Sequence, residues 1–154
     1  MKAFVLGYGN VSRQDDGAGH LLAGLVARII RKSGAEVELW RGHQLVPEVL
    51  LDIKGYQVLF FCDASLKPYP EGFLIEKVNP GDMKTEGLNM HTFGPANVLS
   101  LAEQLTGEVP DAWLISVTGE SFDFSHRLTP QCKTRIKSAA RAFRSFWKHL
   151  SEGL

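Results

Sequence analysis

Apolar and polar residues alternate along the chain in blocks that predict strands and helices in turn. Residues 2–6 form a short apolar run bounded by glycine, which is typical of a parallel strand buried on both faces. Residues 19–32 then repeat apolar positions at helical spacing and end in a basic turn before Gly34. The first block therefore predicts a β–α unit.

The later blocks continue this alternation. Residues 58–62 are continuously apolar, as a central strand should be, and 73–78 is a further strand that is compatible with an antiparallel edge. Strands are also predicted at 36–40 and 113–117, and helices at 45–53, 96–105 and 130–150. The pattern favours a three-layer α/β/α sandwich built on a doubly wound, mostly parallel sheet of about five strands.

Composition narrows the class of protein. The 154 residues, 44% of them hydrophobic, suit a single domain spanning 1–154. Lys plus Arg and Asp plus Glu both number 17, and no polybasic run indicates nucleic acid or an anionic membrane as a partner. No apolar stretch approaches the ~20 residues that span a bilayer. We expect a soluble, cytoplasmic protein in which Cys62 and Cys132 are buried thiols.

Acidic residues and a histidine stand where a ligand crevice is expected. Asp15 and Asp16 follow the first strand, Asp63 follows the third, and His91 precedes a later helix. Open parallel sheets bind ligands at the carboxyl ends of their strands. Two carboxylates and an imidazole at one rim suit a divalent transition metal, with positions left for water or substrate.

Each of these residues also has a structural interpretation. An aspartate before a helix commonly caps it, which contributes about 1 kcal/mol, and this interpretation stays open above all for Asp15. Asp63 has the alternative of capping the loop after its strand, and His91 that of satisfying a backbone group. No G-x-S-x-G elbow is present, and Ser65, Ser116 and Ser121 have no base that the sequence identifies.

The glycines of the first turn are also compatible with a dinucleotide-binding loop, in which the backbone approaches a pyrophosphate. The third glycine of that pattern is replaced by Ser12, and the two aspartates at the start of the helix would repel phosphate. Nucleotide binding is therefore the weaker alternative.

Taken together, the motifs resemble those of the hydrogenase maturation endopeptidases, which remove a carboxyl-terminal extension from the large subunit of [NiFe] hydrogenases. The resemblance covers nearly the whole chain. It rests on Leu6-Gly7-Tyr8-Gly9-Asn10, on Asp15-Asp16-Gly17-Ala18-Gly19, on Phe61-Cys62-Asp63-Ala64 and on the position of His91.

The resemblance implies that Asp16, Asp63 and His91 contact the nickel of the immature large subunit and are the catalytic residues of an aspartyl-type endopeptidase. The metal then belongs to the substrate, the large-subunit precursor is the partner, and no organic cofactor is expected. Cd²⁺ or Zn²⁺ is expected to replace nickel in vitro, because a borderline site accepts several such ions. Metal-activated water and a polarised carbonyl both stay open as the hydrolytic step.

Two segments differ from many members of that family. Asp16 stands where many relatives have glutamate, and the aspartate side chain is shorter by one methylene. After the second strand a His-Gln-Leu-x-Pro-Glu pattern at 43–48 is similar to a subgroup that serves soluble cytoplasmic hydrogenases. His43 and Gln44 are therefore candidate contacts for the substrate's tail, with a plain polar loop as the alternative. The shaping of the loop is assigned to Gly7, Gly9, Asn10 and Asp15.

Two other functions stay open at this point. A nickel-sensing chaperone of hydrogenase assembly would use the same three residues without cutting its partner. A nucleotide-binding α/β module would use the glycines of the first turn and leave Asp63 and His91 without a role.

Replacement of His91 by alanine is expected to abolish processing of the precursor and to leave the fold intact, because the imidazole is assigned to the metal. The mass of the precursor and the circular dichroism spectrum of the variant measure the two effects. Wild-type processing by His91→Ala would contradict the assignment.

Overall fold

The computed structural model describes residues 1–82 and 93–153. In chain order its elements are β1 (Lys2–Tyr8), α1 (Ala18–Lys32), β2 (Glu36–Gly42), α2 (Val49–Ile53), β3 (Val58–Ser65), β4 (Phe73–Lys77), α3 (Pro95–Thr106), β5 (Asp111–Thr118) and α4 (Pro130–Glu152). A short 3-10 turn, Gln14–Gly17, immediately precedes α1. None of the helices in these ranges is long and apolar enough to cross a membrane.

One five-stranded sheet runs through the described ranges, in the order β2-β1-β3-β5-β4. β1, β2, β3 and β5 are parallel, and β4 lies antiparallel to β5 at one edge. The predicted α/β fold with a mostly parallel sheet is confirmed. Because β2 lies on one side of β1 and β3 on the other, the topology switches between β1 and β3, where such sheets bind ligands.

Hydrophobic side chains cover both faces of the sheet. On the face covered by α1 and α4, the buried rings of Phe60 and Phe143 meet edge to face with centroids 4.9 Å apart. On the face covered by α2 and α3, Phe61 and Leu99 are buried in a second cluster. Neighbouring residues of a strand point to opposite faces, which explains why 58–62 is apolar throughout.

The bounds of two elements differ from the prediction by more than two residues. β3 continues to Ser65 because its last residues pair with the end of β5, so Asp63 belongs to the strand and not to the following loop. The apolar pattern predicts the second helix from residue 45, but α2 begins at Val49. Pro47 disfavours helical backbone at Val46, which delays the start of the helix.

The two cysteines lie in different parts of this core. Cys62 is buried in β3, and Cys132 is buried in the first turn of α4. Both are free thiols, as predicted.

α1 approaches the sheet so closely that two glycines have no room for a side chain. A Cβ atom on Gly7 would lie 2.6 Å from the Cβ of Ala23 and 2.7 Å from the carbonyl oxygen of Gly19. A Cβ atom on Gly19 would overlap the carbonyl oxygen of Cys62 and lie 2.6 Å from that of Tyr8. The carbonyls of Cys62 and Tyr8 belong to paired strands and cannot move aside easily.

Gly19→Ala is expected to lower the free energy of unfolding by about 3 kcal/mol, because the new methyl group meets backbone of β1 and β3. Gly34→Ala is the matched control: its φ of 93° disfavours alanine, but no atom lies within 4 Å of the added Cβ. We expect the control to lose about 1 kcal/mol. Urea unfolding of both variants makes the comparison, and equal losses would contradict the close packing.

Candidate functional site

A groove opens at the carboxyl ends of β1 and β3, on the side of the sheet covered by α2 and α3. Its volume is about 600 Å³, within the range of ligand-binding pockets. Asp16 and Asp63 lie in its wall together with Tyr8. The remaining wall comes from the β2–α2 connection, from the end of β4 and from the start of α3.

The loop after β1 holds the carboxylate of Asp16 in place. Its Oδ2 accepts the backbone N–H of Asn10 at 2.8 Å, and Asn10 Oδ1 accepts the N–H of Ser12 at 2.9 Å. Gly9 has a φ of 138°, and a Cβ atom there would overlap the carbonyl oxygen of Asp16. Asp16 Oδ1 has no hydrogen-bond partner in the described part of the chain. One oxygen thus fixes the side chain and the other is available to a ligand.

Asp15 points away from the groove and is fully buried. Its carboxylate accepts the N–H groups of Glu120 (2.8 Å), Ser121 (3.1 Å) and Thr129 (2.8 Å) and the hydroxyl of Thr129 (2.7 Å). Burial raises the pKa of Asp15, but these hydrogen bonds outweigh it and lower the pKa below its usual value. Asp15 therefore ties the loop to the β5–α4 connection.

The capping interpretation of the two aspartates does not hold for α1. Its N-cap is Gly17, and no side chain caps it. Asp15 instead supports the N-terminus of α4, since its partner Thr129 accepts the N–H of Cys132 there at 3.2 Å. Asp16 caps none of the helices in the described ranges, and its side chain lines the groove.

Asp63 faces the same end of the groove from β3. Its Oδ1 accepts the N–H of Ala64 at 2.7 Å. Burial and, to a smaller extent, the negative charge of Asp16 raise the pKa of Asp63 to about 7, against the opposing effect of the Ala64 N–H. The two carboxylates are therefore close enough to repel each other. Burial also raises the pKa of Tyr8, with the charge of Asp63 as the next cause.

Strand pairing places one more polar group beside Asp63. Ser116 of β5 is its partner in register, and paired residues of a parallel sheet point to the same face. Ser116 is only 4% exposed. The sequence around Ser116 does not predict that it lies beside Asp63. The two residues become neighbours only because β3 and β5 are adjacent in the sheet.

The other predicted site residues are found at different places. His43 and Gln44 are exposed and line the groove, as a role in substrate contact requires, although their function stays a prediction. His91 lies outside the described residues. Within 1–82 and 93–153, no group of three or more His, Cys, Asp or Glu side chains could hold a metal ion. The described residues thus contribute two carboxylates to the predicted set of three ligands.

Comparison with known structures identifies relatives of this fold. The hydrogenase maturating endopeptidase HybD from E. coli is 28% identical and superposes with a TM-score of 0.72 over 97% of this chain and 93% of its own. The maturation protease HycI from Thermococcus kodakarensis is 24% identical, with a TM-score of 0.70 over 96% and 92%. HybD from the same archaeon is 18% identical, with a TM-score of 0.68 over 95% and 99%.

Sequence comparison adds no further relative. No protein-family model matches this sequence, and no curated protein matches it. The chain resembles the hydrogenase maturation proteases in its fold and over nearly its whole length.

Asp63→Asn is expected to stabilise the folded protein in neutral and alkaline solution. The pKa of Asp63 is higher in the folded protein than in the unfolded chain, so ionisation lowers the free energy of unfolding as pH rises from about 4 to 7. Asparagine keeps the acceptor for the Ala64 N–H and cannot ionise. We expect a gain of about 1 to 3 kcal/mol at pH 8 and a smaller gain at pH 5.

Urea unfolding at the two pH values measures this difference. Asp52→Asn is the control, because Asp52 is exposed on α2 and lies outside the groove. A stability gain that is equal at both pH values, or absent at pH 8, would contradict the pKa of Asp63.

Proposed function

We propose that this relative of the hydrogenase maturation proteases is an endopeptidase that removes the carboxyl-terminal extension from the nickel-loaded precursor of a [NiFe] hydrogenase large subunit. The observation that carries the proposal is the pair of carboxylates, Asp16 and Asp63, at one end of an open groove. The resemblance over nearly the whole chain supports a hydrolase of this class.

The carboxylate pair suits a divalent cation on electrostatic grounds. Asp16 and Asp63 repel each other, and Asp63 is partly buried, so both costs fall when a cation binds between them. Carboxylate oxygens together with an imidazole suit a borderline ion such as Ni²⁺. We assign the imidazole to His91. The nickel is part of the substrate, so the site recognises a precursor that already contains metal.

The loop after β1 sets the direction of one ligand. Asp16 is held through the N–H of Asn10, and the turn itself depends on the positive φ of Gly9. Asp15 anchors the same loop from beneath. These contacts limit the motion of the Asp16 carboxylate, so little entropy is lost when it contacts the metal.

The groove gives the substrate's tail a path away from the carboxylates. His43 and Gln44 lie on one side of it, and Asp82 and Phe93 on the other. We assign His43 and Gln44 to contacts with the tail, because both are exposed and both carry hydrogen-bonding groups. A peptide in the groove has its scissile bond near the metal if the metal is held at Asp16 and Asp63.

The hydrolytic step then needs an activated water or a polarised carbonyl. A bound divalent ion supplies either one by lowering the pKa of water or by drawing charge onto the carbonyl oxygen. Without metal the pKa of Asp63 is about 7, so its carboxyl group holds a proton near neutral pH and releases it when the cation binds. The buried thiols Cys62 and Cys132 take no part, and they fit the cytoplasmic location that we infer.

The direct test incubates the purified protein with a nickel-loaded large-subunit precursor from the same organism and with the nickel-free precursor. We expect the mass of the precursor to fall by one carboxyl-terminal peptide only when nickel is present. Asp16→Asn and Asp63→Asn are expected to slow cleavage at least about 100-fold, because each removes a charged metal contact.

Asp52→Asn is the control for the loss of one negative charge and is expected to cleave as the wild type does. Nickel-dependent binding of an uncut precursor would favour a chaperone in place of an endopeptidase. Cleavage that is equal with and without nickel would contradict recognition through the metal. Thermal stabilisation by nucleotides but not by Ni²⁺ or Cd²⁺ would favour a nucleotide-binding module.

A further inference from the structure

Positive charge is concentrated in one helical layer of this protein. α1 and α4 together carry nine Lys and Arg side chains and a single acid, Glu152. The whole chain is neutral, with 17 basic and 17 acidic residues. Such segregation is unfavourable in isolation, because like charges on one surface repel each other.

A groove of about 430 Å³ lies between the carboxyl-terminal halves of these two helices and is here called the α1/α4 groove. Its floor is apolar and includes Leu25, Ile29 and Ala140. Its two rims are basic and exposed, with Arg28 and Lys32 on α1 and Arg144 and Lys148 on α4. The α1/α4 groove thus combines an apolar floor with two cationic rims.

The four rim cations have no acidic partner among the described residues. The ion pairs between two described residues involve Lys2, Lys77 and Arg135. Arg28, Lys32, Arg144 and Lys148 have no hydrogen bond or ion pair of any other kind there. Each rim therefore presents two unpaired charges to a ligand.

The α1/α4 groove is remote from the carboxylates of the proposed active site. α1 and α4 start beside the carboxyl ends of the parallel strands and run back along the sheet, so their carboxyl-terminal halves lie at its other end. They also cover the opposite face from α2 and α3. Binding in this groove is thus independent of whether the chain cleaves a precursor.

We propose that the α1/α4 groove binds an acidic amphipathic helix of a partner protein. On each rim the two cations are four residues apart, which is about 6 Å along a helix. Acidic residues four apart on both flanks of a ligand helix have the same spacing, and its apolar stripe fits the floor. This is the helix-in-groove mode of recognition, combined with charge complementarity.

Other occupants fit the groove less well. A second copy of this chain would bring the same cationic rims together and be repelled. A nucleic acid would match the charge, but Trp147 beneath the floor is only 3% exposed and offers no ring for stacking. Binding to a bilayer requires apolar side chains that project outward, whereas the apolar side chains of this groove line a concavity.

The test uses a synthetic 18-residue helical peptide with leucines at i, i+3, i+4 and i+7 and glutamates flanking the stripe. A composition-matched peptide with scrambled order keeps the charge and removes the stripe. Fluorescence anisotropy of the labelled peptides with the full chain is expected to show at least tenfold tighter binding of the amphipathic peptide, weakening as salt increases.

Variants of the protein separate the groove from general positive charge. Arg28→Glu with Arg144→Glu is expected to weaken binding at least tenfold. Arg31→Glu with Arg141→Glu changes the charge equally on the same helices outside the groove and is expected to weaken binding less than threefold. Ala140→Arg adds charge but fills the floor and is expected to weaken binding at least fivefold. Circular dichroism and thermal unfolding check the fold of each variant.

Several results would overturn the proposal. These are equal binding of the two peptides, equal losses in the two charge-reversal pairs, and unchanged or tighter binding by Ala140→Arg. Binding of a DNA duplex or of phosphatidylserine vesicles that is as tight as that of the peptide would also contradict an acidic helix as the occupant.

Discussion

The close contact between the start of α1 and the sheet is the constraint on which the candidate site depends. At Gly7 and Gly19 the helix and the strands approach within a distance that excludes a Cβ atom. The chain must therefore leave β1, pass over the carboxyl ends of the strands and return to the sheet within residues 9–18. The positive φ of Gly9 makes that turn possible, and Asp16 reaches the groove beside Asp63 as a result.

This arrangement places two carboxylates where folding alone would not favour them. Burial and the charge of Asp16 make the ionised form of Asp63 costly in the protein without metal. The loop after β1 is held in place by contacts with the β5–α4 connection. Asp15 accepts four hydrogen bonds, and the N–H of Gln14 donates to the carbonyl of Ser125 at 2.9 Å. Asp15 thus stabilises the fold, and its neighbour Asp16 is available for binding.

The sequence predicted much of this fold because its signals were local. The continuous apolar run 58–62 identified the central strand, and the helical spacing before Lys32 identified α1. The start of α2 was missed because the apolar pattern continues through Pro47 although the helix does not.

The candidate site was predictable only in part, because its contacts join distant segments. Both Asp15 and Asp16 were identified from sequence, and Asp15 was assigned to the shaping of the loop. The partners of Asp15 were not predicted, because they are more than 100 residues away. Ser116 lies beside Asp63 because β3 pairs with β5, and the sequence alone does not give this pairing. The basic residues of α4 were visible in the sequence, but the groove that they border requires α1 as its other wall.

Asp16 and Asp63 are proposed to act together as contacts for one divalent cation. Anomalous diffraction from crystals soaked in Cd²⁺ tests it most directly, because the signal locates the ion without any assumption about activity. We expect one strong peak within bonding distance of both carboxylates and of the His91 imidazole. A Cd²⁺ ion bound only elsewhere, with Asp16 and Asp63 left without metal, would contradict it.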